Sequence, residues 1–277
     1  MTSIHCIESY LDHQKHLYGC FVIEPLDIGH GITIGSAIRR TLLSDLTSFA
    51  ITGVRINNVK HEFSNVEGVR DDILEILANL KEVIIQSSYF STLQIKQKYK
   101  GFIRVKGPCL VTAGMFFLPK NKFKIVNPNQ YICTLTQPAT LYIEVDIEKG
   151  SGYQLVEEIQ EKRKKEVFFT AQPTTLIMDT LFTPIKNANY KIKLIHDTQG
   201  NIKESLLFEI TTNGSLTPQR SLQEALKIIL SLFSPLLISP DFETISLNVK
   251  KNTQKFLDFL FEVEKKEMEE KEKKKKK

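Results

Sequence analysis

Cysteine is scarce in this sequence, and what there is does not cluster. Cys6, Cys20, Cys109 and Cys133 are far apart and form no C-x-x-C pair, which argues against a structural zinc site or a disulfide framework and predicts buried, reduced thiols. Long apolar runs are missing too. No stretch approaches the roughly 18 consecutive apolar residues of a membrane span. The opening MTSIHCIESYLDHQK has neither a signal-peptide apolar core nor an Arg-rich, acid-poor transit character, so the chain is expected to be made in the compartment where it works, without a membrane partner. Catalytic patterns are equally lacking: there is no G-x-S-x-G, no H-E-x-x-H and no clustered Asp loop, and the six His residues are scattered. His13 and His16 could share a helix face but have no third ligand. Asp71 and Asp72 are adjacent, hence on different helix faces and poorly placed as an acid–base pair. No metal, no cofactor and no small-molecule substrate of its own is expected.

What is present suffices for folding: 42% hydrophobic residues in a chain of 277 can bury one sizeable core or two modest domains. The net charge of +5 suggests nucleic acid until it is located. The last fourteen residues, EKKEMEEKEKKKKK, hold eight Lys and five Glu; they supply +3 and leave the other 263 residues at only +2. Such a run, without apolar periodicity, reads as a solvated and partly disordered end.

Along the chain, Cys20-Phe-Val-Ile-Glu24 reads as a strand closed by Pro25, and the turn Asp27-Ile-Gly-His-Gly31 leads into a helix over about 33–47. Helical spacing sets Ile34, Ile38, Thr41 and Leu42 on one side and Ser36, Arg40, Leu43 and Thr47 on the other. An apolar residue bracketed by Arg39 and Arg40 on an outer face fits either an ordinary exposed Leu or a protein interface, and composition leaves both open. The glycines of Gly29-His-Gly31-Ile-Thr-Ile-Gly35 invite a phosphate-loop reading, but neither the G-K-[ST] ending nor G-x-G-x-x-G spacing is there.

From Ala50 to about Glu166 the pattern turns to short alternating runs. The strands expected are Ile51–Ile56, Thr92–Tyr99, Phe102–Lys106, Lys122–Val126, Tyr131–Thr136 and Leu141–Glu148. One helix, Glu67–Lys81, interrupts them, burying Val69, Ile73, Ile76, Leu77 and Leu80 and showing Asp71, Asp72 and Glu75 to solvent or a partner. In the last strand Leu141, Ile143, Val145 and Ile147 point one way and Tyr142, Glu144, Asp146 and Glu148 the other. EEIQEKRKKE reads as an exposed crossing. After it the mixed strand-and-helix pattern of the first fifty residues resumes, with a helix-like stretch at Thr174–Phe182, strands at Tyr190–His196 and Leu206–Thr211 and the Asn213-Gly214 turn. A helix from Thr217 to about 234, with Pro218 in its first turn and Leu222, Ala225, Leu226, Ile229, Leu232 and Phe233 as its apolar stripe, ends before Pro235. That stripe is wider than one sheet face needs, so a helix partner, such as a second copy, is plausible.

Over nearly all of 18–235 these residues resemble the alpha subunit of multisubunit, bacterial-type RNA polymerase. Phe21-Val-Ile-Glu-Pro25 with Gly35-Ser-Ala-Ile-Arg-Arg-Thr-Leu-Leu43 is similar to that family's strand and first helix. His61-Glu-Phe-Ser64, Asp72-Ile-Leu-Glu-Ile-Leu77 and Asn79-Leu-Lys81 resemble its second signature, Gly150-Ser-Gly-Tyr153 a third and Thr212-Asn-Gly-Ser-Leu-Thr-Pro218 a fourth. The plastid branch is suggested by Val105-Lys-Gly-Pro108 with Val111-Thr-Ala113 and by Leu181-Phe-Thr-Pro-Ile-Lys-Asn-Ala-Asn-Tyr190.

The resemblance implies an α+β fold: a discontinuous dimerisation domain of helices on a small sheet (1–50 and 166–235), a β-rich domain inserted at 51–165, and a charged extension at 236–277. It implies a homodimer whose copies engage the beta and beta-prime catalytic subunits, in a plastid stroma or, failing that, a bacterial cytoplasm, and which meets DNA through the assembled complex. Arg40 and Leu43 match beta-contacting positions, and Glu75 and Lys81 match large-subunit contacts in the inserted domain. Ile34, Ile38 and Leu42 on the first helix and Leu226, Ile229 and Phe233 on the last fall on the expected dimer interface. Gly31 and Gly35 would serve backbone geometry and close packing. The family's C-terminal DNA-binding module has no counterpart in the 42 residues after Pro235, where a helix at Thr253–Val263 is expected, and Cys109-Leu110 departs from the family's pattern. Two rival readings are an enzyme binding nucleotide at Gly29–Gly35 and a stand-alone nucleic-acid-binding protein using the Lys-rich tail.

Overall fold

Alternating apolar and polar residues dominate this chain, and strands dominate the fold. The computed structural model describes residues 2–12, 16–57, 59–87, 97–119, 122–165, 175–196 and 200–237. The expected strand at Thr92–Tyr99 lies largely outside these residues, as do His13, the expected helix at Thr253–Val263 and the Lys-rich tail. The chain divides into two units, 1–226 and 227–277.

In chain order, β1 (Ser3–Leu11) and β2 (Leu17–Leu26) precede α1 (His30–Ser44) and β3 (Thr47–Ile56). Next come α2 (Ile73–Lys81), β4 (Ile85–Ser87), β5 (Tyr99–Lys106), β6 (Cys109–Thr112), β7 (Phe123–Ile125), β8 (Tyr131–Leu135), β9 (Thr140–Ser151) and β10 (Tyr153–Gln154). The order closes with α3 (Val156–Lys165), β11 (Leu176–Ile177), β12 (Thr180–Leu181), β13 (Ile185–His196), β14 (Ile202–Thr212) and α4 (Pro218–Leu237). The class is mixed α+β, as expected.

Two sheets organise the first unit. One, ordered β1-β2-β14-β13, joins strands from positions 3–26 and 185–212, and α1 lies on β13 and β14. Phe21, Ile23, Ile38, Leu42, Leu206, Phe208 and Ile210 are buried there. The other sheet runs β5-β9-β3-β4-β7, with β11 added beside β3. Its core gathers Ile51, Val54, Ile143, Val145 and Ile147 from the strands and Ile73, Ile76, Leu77 and Leu80 from α2. A small ribbon of β6 and β8 and a short β10–β12 pair complete the pairing.

Several expectations are corrected. The helix expected from Glu67 begins only at Ile73, because Val69 bridges to Leu135 and the Arg70 N–H donates to the Thr134 carbonyl, committing that segment to β8. Thr174–Phe182 is not helical where it is described: Leu176–Ile177 pairs with β3 and Thr180–Leu181 with β10. The charged run expected as a crossing is a helix, α3, and Ile159 on it is buried. β1 went unforeseen, since it is exposed along nearly its whole length and carries no core-facing alternation. The strand expected to close at Pro25 runs on through it to Leu26.

The last helix is expected to stop before Pro235, yet α4 continues to Leu237. Proline removes the N–H that would reach the Ser231 carbonyl. The Ser234 hydroxyl donates to that carbonyl instead, at 3.4 Å. Of the four thiols, Cys20 and Cys133 are buried but Cys6 is exposed, against expectation. Burial pushes the Cys133 thiol up to about 12.

Candidate assembly surface

Helix α1 has no acidic residue in its first turn, and its N-cap is Gly29, whose left-handed backbone (φ 88°) offers no side-chain cap. The N–H groups at this end are met from across the fold. Gly29 N donates to Glu204 Oε1 at 2.9 Å and Gly31 N to Glu204 Oε2 at 2.8 Å. The amides that a nucleotide phosphate would need are thus held by the protein's own carboxylate. A Cβ on Gly31 would stand 2.7 Å from Glu204 Oε2, and one on Gly35 would stand 2.7 Å from the Tyr190 ring. These two glycines bring α1 down onto β13 and β14, the close-packing role expected of them. Beside them Lys203 pairs with Asp27 and, by hydrogen bond and charge, lowers the Asp27 pKa.

With its inner side thus fixed, α1 turns Arg39, Arg40 and Leu43 outward, and Leu43 is 39% exposed. Among the described residues neither arginine makes an ion pair within the chain. A partner carboxylate would meet two guanidinium groups beside an apolar contact, and Arg is enriched at protein interfaces.

The residues expected at a dimer interface separate into two groups. Ile38 and Leu42 are 1% and 0% exposed and pack inside the chain's own core, so the contact expected of them with a second copy is made within the chain instead. Ile34 is half-buried. On α4, Leu222 and Ala225 are buried, Leu226 and Ile229 are half-buried, and Leu232, Phe233 and Leu236 are 67%, 54% and 63% exposed. The apolar stripe therefore runs on into residues that are exposed among the described residues.

On the second sheet, Glu75 is exposed on α2. Lys81, at the end of the same helix, reaches Asp179 at 3.6 Å. Asp179 also accepts from Val156 N at the start of α3; that backbone donor and the charge of Lys81 hold its pKa below the usual carboxylate range. Lys81 is thus tied within the chain, whereas Glu75 is open to a partner. Asp71, expected at the surface, turns inward and accepts from Tyr131 Oη at 2.7 Å and Thr134 N at 2.6 Å. Burial works to raise its pKa, but these bonds and Arg70 outweigh it.

The side of β9 expected to face solvent is also partly covered. Arg55 Nη2 lies 2.9 Å from both Glu144 and Asp146, and Nη1 donates to Thr175 Oγ1 at 3.0 Å. This cluster fastens β3 to β9 and to the segment leading into β11. Sequence reasoning missed Arg55 and Glu204. Arg55 left no local signal, because its partners lie far along the chain. Glu204 left one: it is the single acid in the alternating row Leu206, Phe208, Ile210.

The description "RNA polymerase Rpb3/RpoA insert domain" belongs to the family whose model matches residues 54–183. Among curated proteins, the DNA-directed RNA polymerase subunit alpha of Pyropia yezoensis is 40% identical over 259 residues, covering 94% of this chain and 78% of the relative. That of Cyanophora paradoxa is 40% identical over 232 residues, 84% of this chain and 69% of the relative. That of Trichodesmium erythraeum is 42% identical over 231 residues, 83% and 69%. At this identity and over this span, the chain belongs to the family of DNA-directed RNA polymerase alpha subunits.

Proposed function

We propose that this chain is the homodimeric, non-catalytic scaffold of a plastid-type RNA polymerase, on which the beta and beta-prime subunits assemble and through which the complex meets DNA. Its place of work would be the plastid stroma, or a bacterial cytoplasm. The observation that carries the reading is the outer face of α1, where Arg40 and Leu43 stand together while the opposite face is spent on the chain's own core. Glu75, in the first turn of α2, is the second large-subunit contact, and Lys81, in the last turn, adds to it from its pairing with Asp179. The dimer contact is drawn from the apolar stripe of α4, half-buried Leu226 and Ile229 with exposed Phe233, together with Ile34 on α1. The dimerisation part comprises 1–50 and 166–235 around an insertion of 51–165. The pairing of β11 and β12 supports moving the return point of the insertion to about 183.

Affinity purification of the tagged chain from its native source tests the reading. Two large polymerase subunits should be recovered together with a second, untagged copy of this chain. Recovery of the chain alone would overturn it.

A further inference from the structure

We infer that Glu204 is the positioning residue that sets α1 for subunit contact, an inference that rests on the reading of α1 as the large-subunit contact. The carboxylate belongs to β14, 173 residues from the glycine it holds. It stands in the row of Leu206, Phe208 and Ile210 and is itself only 7% exposed. A buried acid is expected to be paired or fully hydrogen-bonded. Here each oxygen takes one backbone N–H at the positive end of the α1 dipole, which suits a negative charge. The site is fitted from both sides, since a Cβ at 31 would stand 2.7 Å from Oε2 and oblige the carboxylate to move.

The consequence is mechanical. α1 runs from His30 to Ser44, so Arg40 and Leu43 lie about two and a half and three and a third turns beyond Gly31. Gly35 lets the helix settle on Tyr190, while Glu204 fixes where along the sheet it begins. Loss of the anchor lets the first turn fray and the helix shift, moving both contact residues together. Lys203 secures Asp27 next door, so one stretch of β14 holds both ends of the Asp27–Gly31 loop.

The test uses the full chain with Glu204→Ala, Glu204→Gln, Gly31→Ala and the double variant Gly31→Ala/Glu204→Ala. Amide exchange over 27–36 is read by mass spectrometry, and beta-subunit capture by pull-down. Both Glu204 variants should exchange about tenfold faster there and capture about tenfold less, because Gln offers one acceptor where two donors converge. The double variant should be no worse than the poorer single one, since both changes break one interaction. Formate should partly restore slow exchange in Glu204→Ala by occupying the vacated amides. Ile143→Val in the other sheet is the control for general destabilisation and should keep full capture.

Unchanged exchange in both Glu204 variants, additive losses in the double variant, or equal loss of capture in Ile143→Val would overturn the inference. If Arg40→Ala and Leu43→Ala both capture the beta subunit fully, the reading of α1 as a contact fails, and with it the positioning role. The exchange result still reports separately on the anchor.

Discussion

Arg40 and Leu43 can be changed without disturbing the fold that presents them, because neither side chain is needed in the core. Arg40→Ala or Leu43→Ala should therefore leave unfolding and dimerisation as they are and weaken beta-subunit capture by about 2 kcal/mol, roughly thirtyfold. A titrated pull-down checks this, and wild-type capture by both variants would remove α1 from the interface. Changes at Arg55 and Glu144 should act in the opposite way, on stability and not on assembly. The hydrogen bond from Arg55, joined by Lys100, holds the Glu144 pKa below its ordinary value. A carboxylate with a depressed folded pKa contributes stability that is present above its unfolded pKa, about 4.3, and lost as pH falls through the folded value. Glu144→Gln should accordingly be less stable than the wild type at pH 7 and should lose less on acidification; Asp71, similarly depressed, keeps some of the acid limb. Parallel pH–stability curves for the two proteins would contradict this assignment.

At the level of elements, much was legible because period-2 and period-3.6 patterns are local. The buried side of β9 and the inner side of α1 follow directly from alternation and helical spacing. What escaped is set by pairing at a distance. Val69 joins β8 instead of α2, and Leu176–Ile177 is too short to show a period and becomes a strand only because β3 offers an edge. Glu204 shows in sequence only as an acid in an apolar row; its role needs the helix end that it meets. The same pairings determine where the inserted part can be removed. β3 spans Thr47–Ile56, so a cut at 51 leaves half a strand without its partner β9. Deleting 47–183 behind a short Gly-Ser linker should leave a cooperatively unfolding dimer, whereas deleting 51–165 should give a less cooperative transition by circular dichroism. Equal cooperativity would mean that the insertion begins where β3 does not count. On α4, Phe233→Lys puts a charge on the uncovered stripe without touching the core. It should shift sedimentation toward the single-chain mass of 31.7 kDa, while thermal stability of the monomer changes little.

For the whole molecule, the distribution of charge fits the proposed scaffold. The residues before the last fourteen carry a net +2, too little for a concentrated phosphate-binding patch, whereas Lys273–Lys277 place five positive charges in a row. Duplex binding by the isolated chain should thus be weak and indifferent to sequence, with log K falling against log salt by a slope no steeper than about −5. Truncation after Val263 should abolish most of it. A truncated chain that still preferred promoter over random DNA would favour the stand-alone nucleic-acid reading. In the proposed assembly two copies of this chain, paired through α4, together receive a large catalytic subunit through α1. Native mass spectrometry of the chain co-expressed with the beta subunit tests it most directly. The account predicts a complex of two copies of this chain with one beta subunit; a complex holding one copy, or only a free species at 31.7 kDa beside unbound beta subunit, would contradict it.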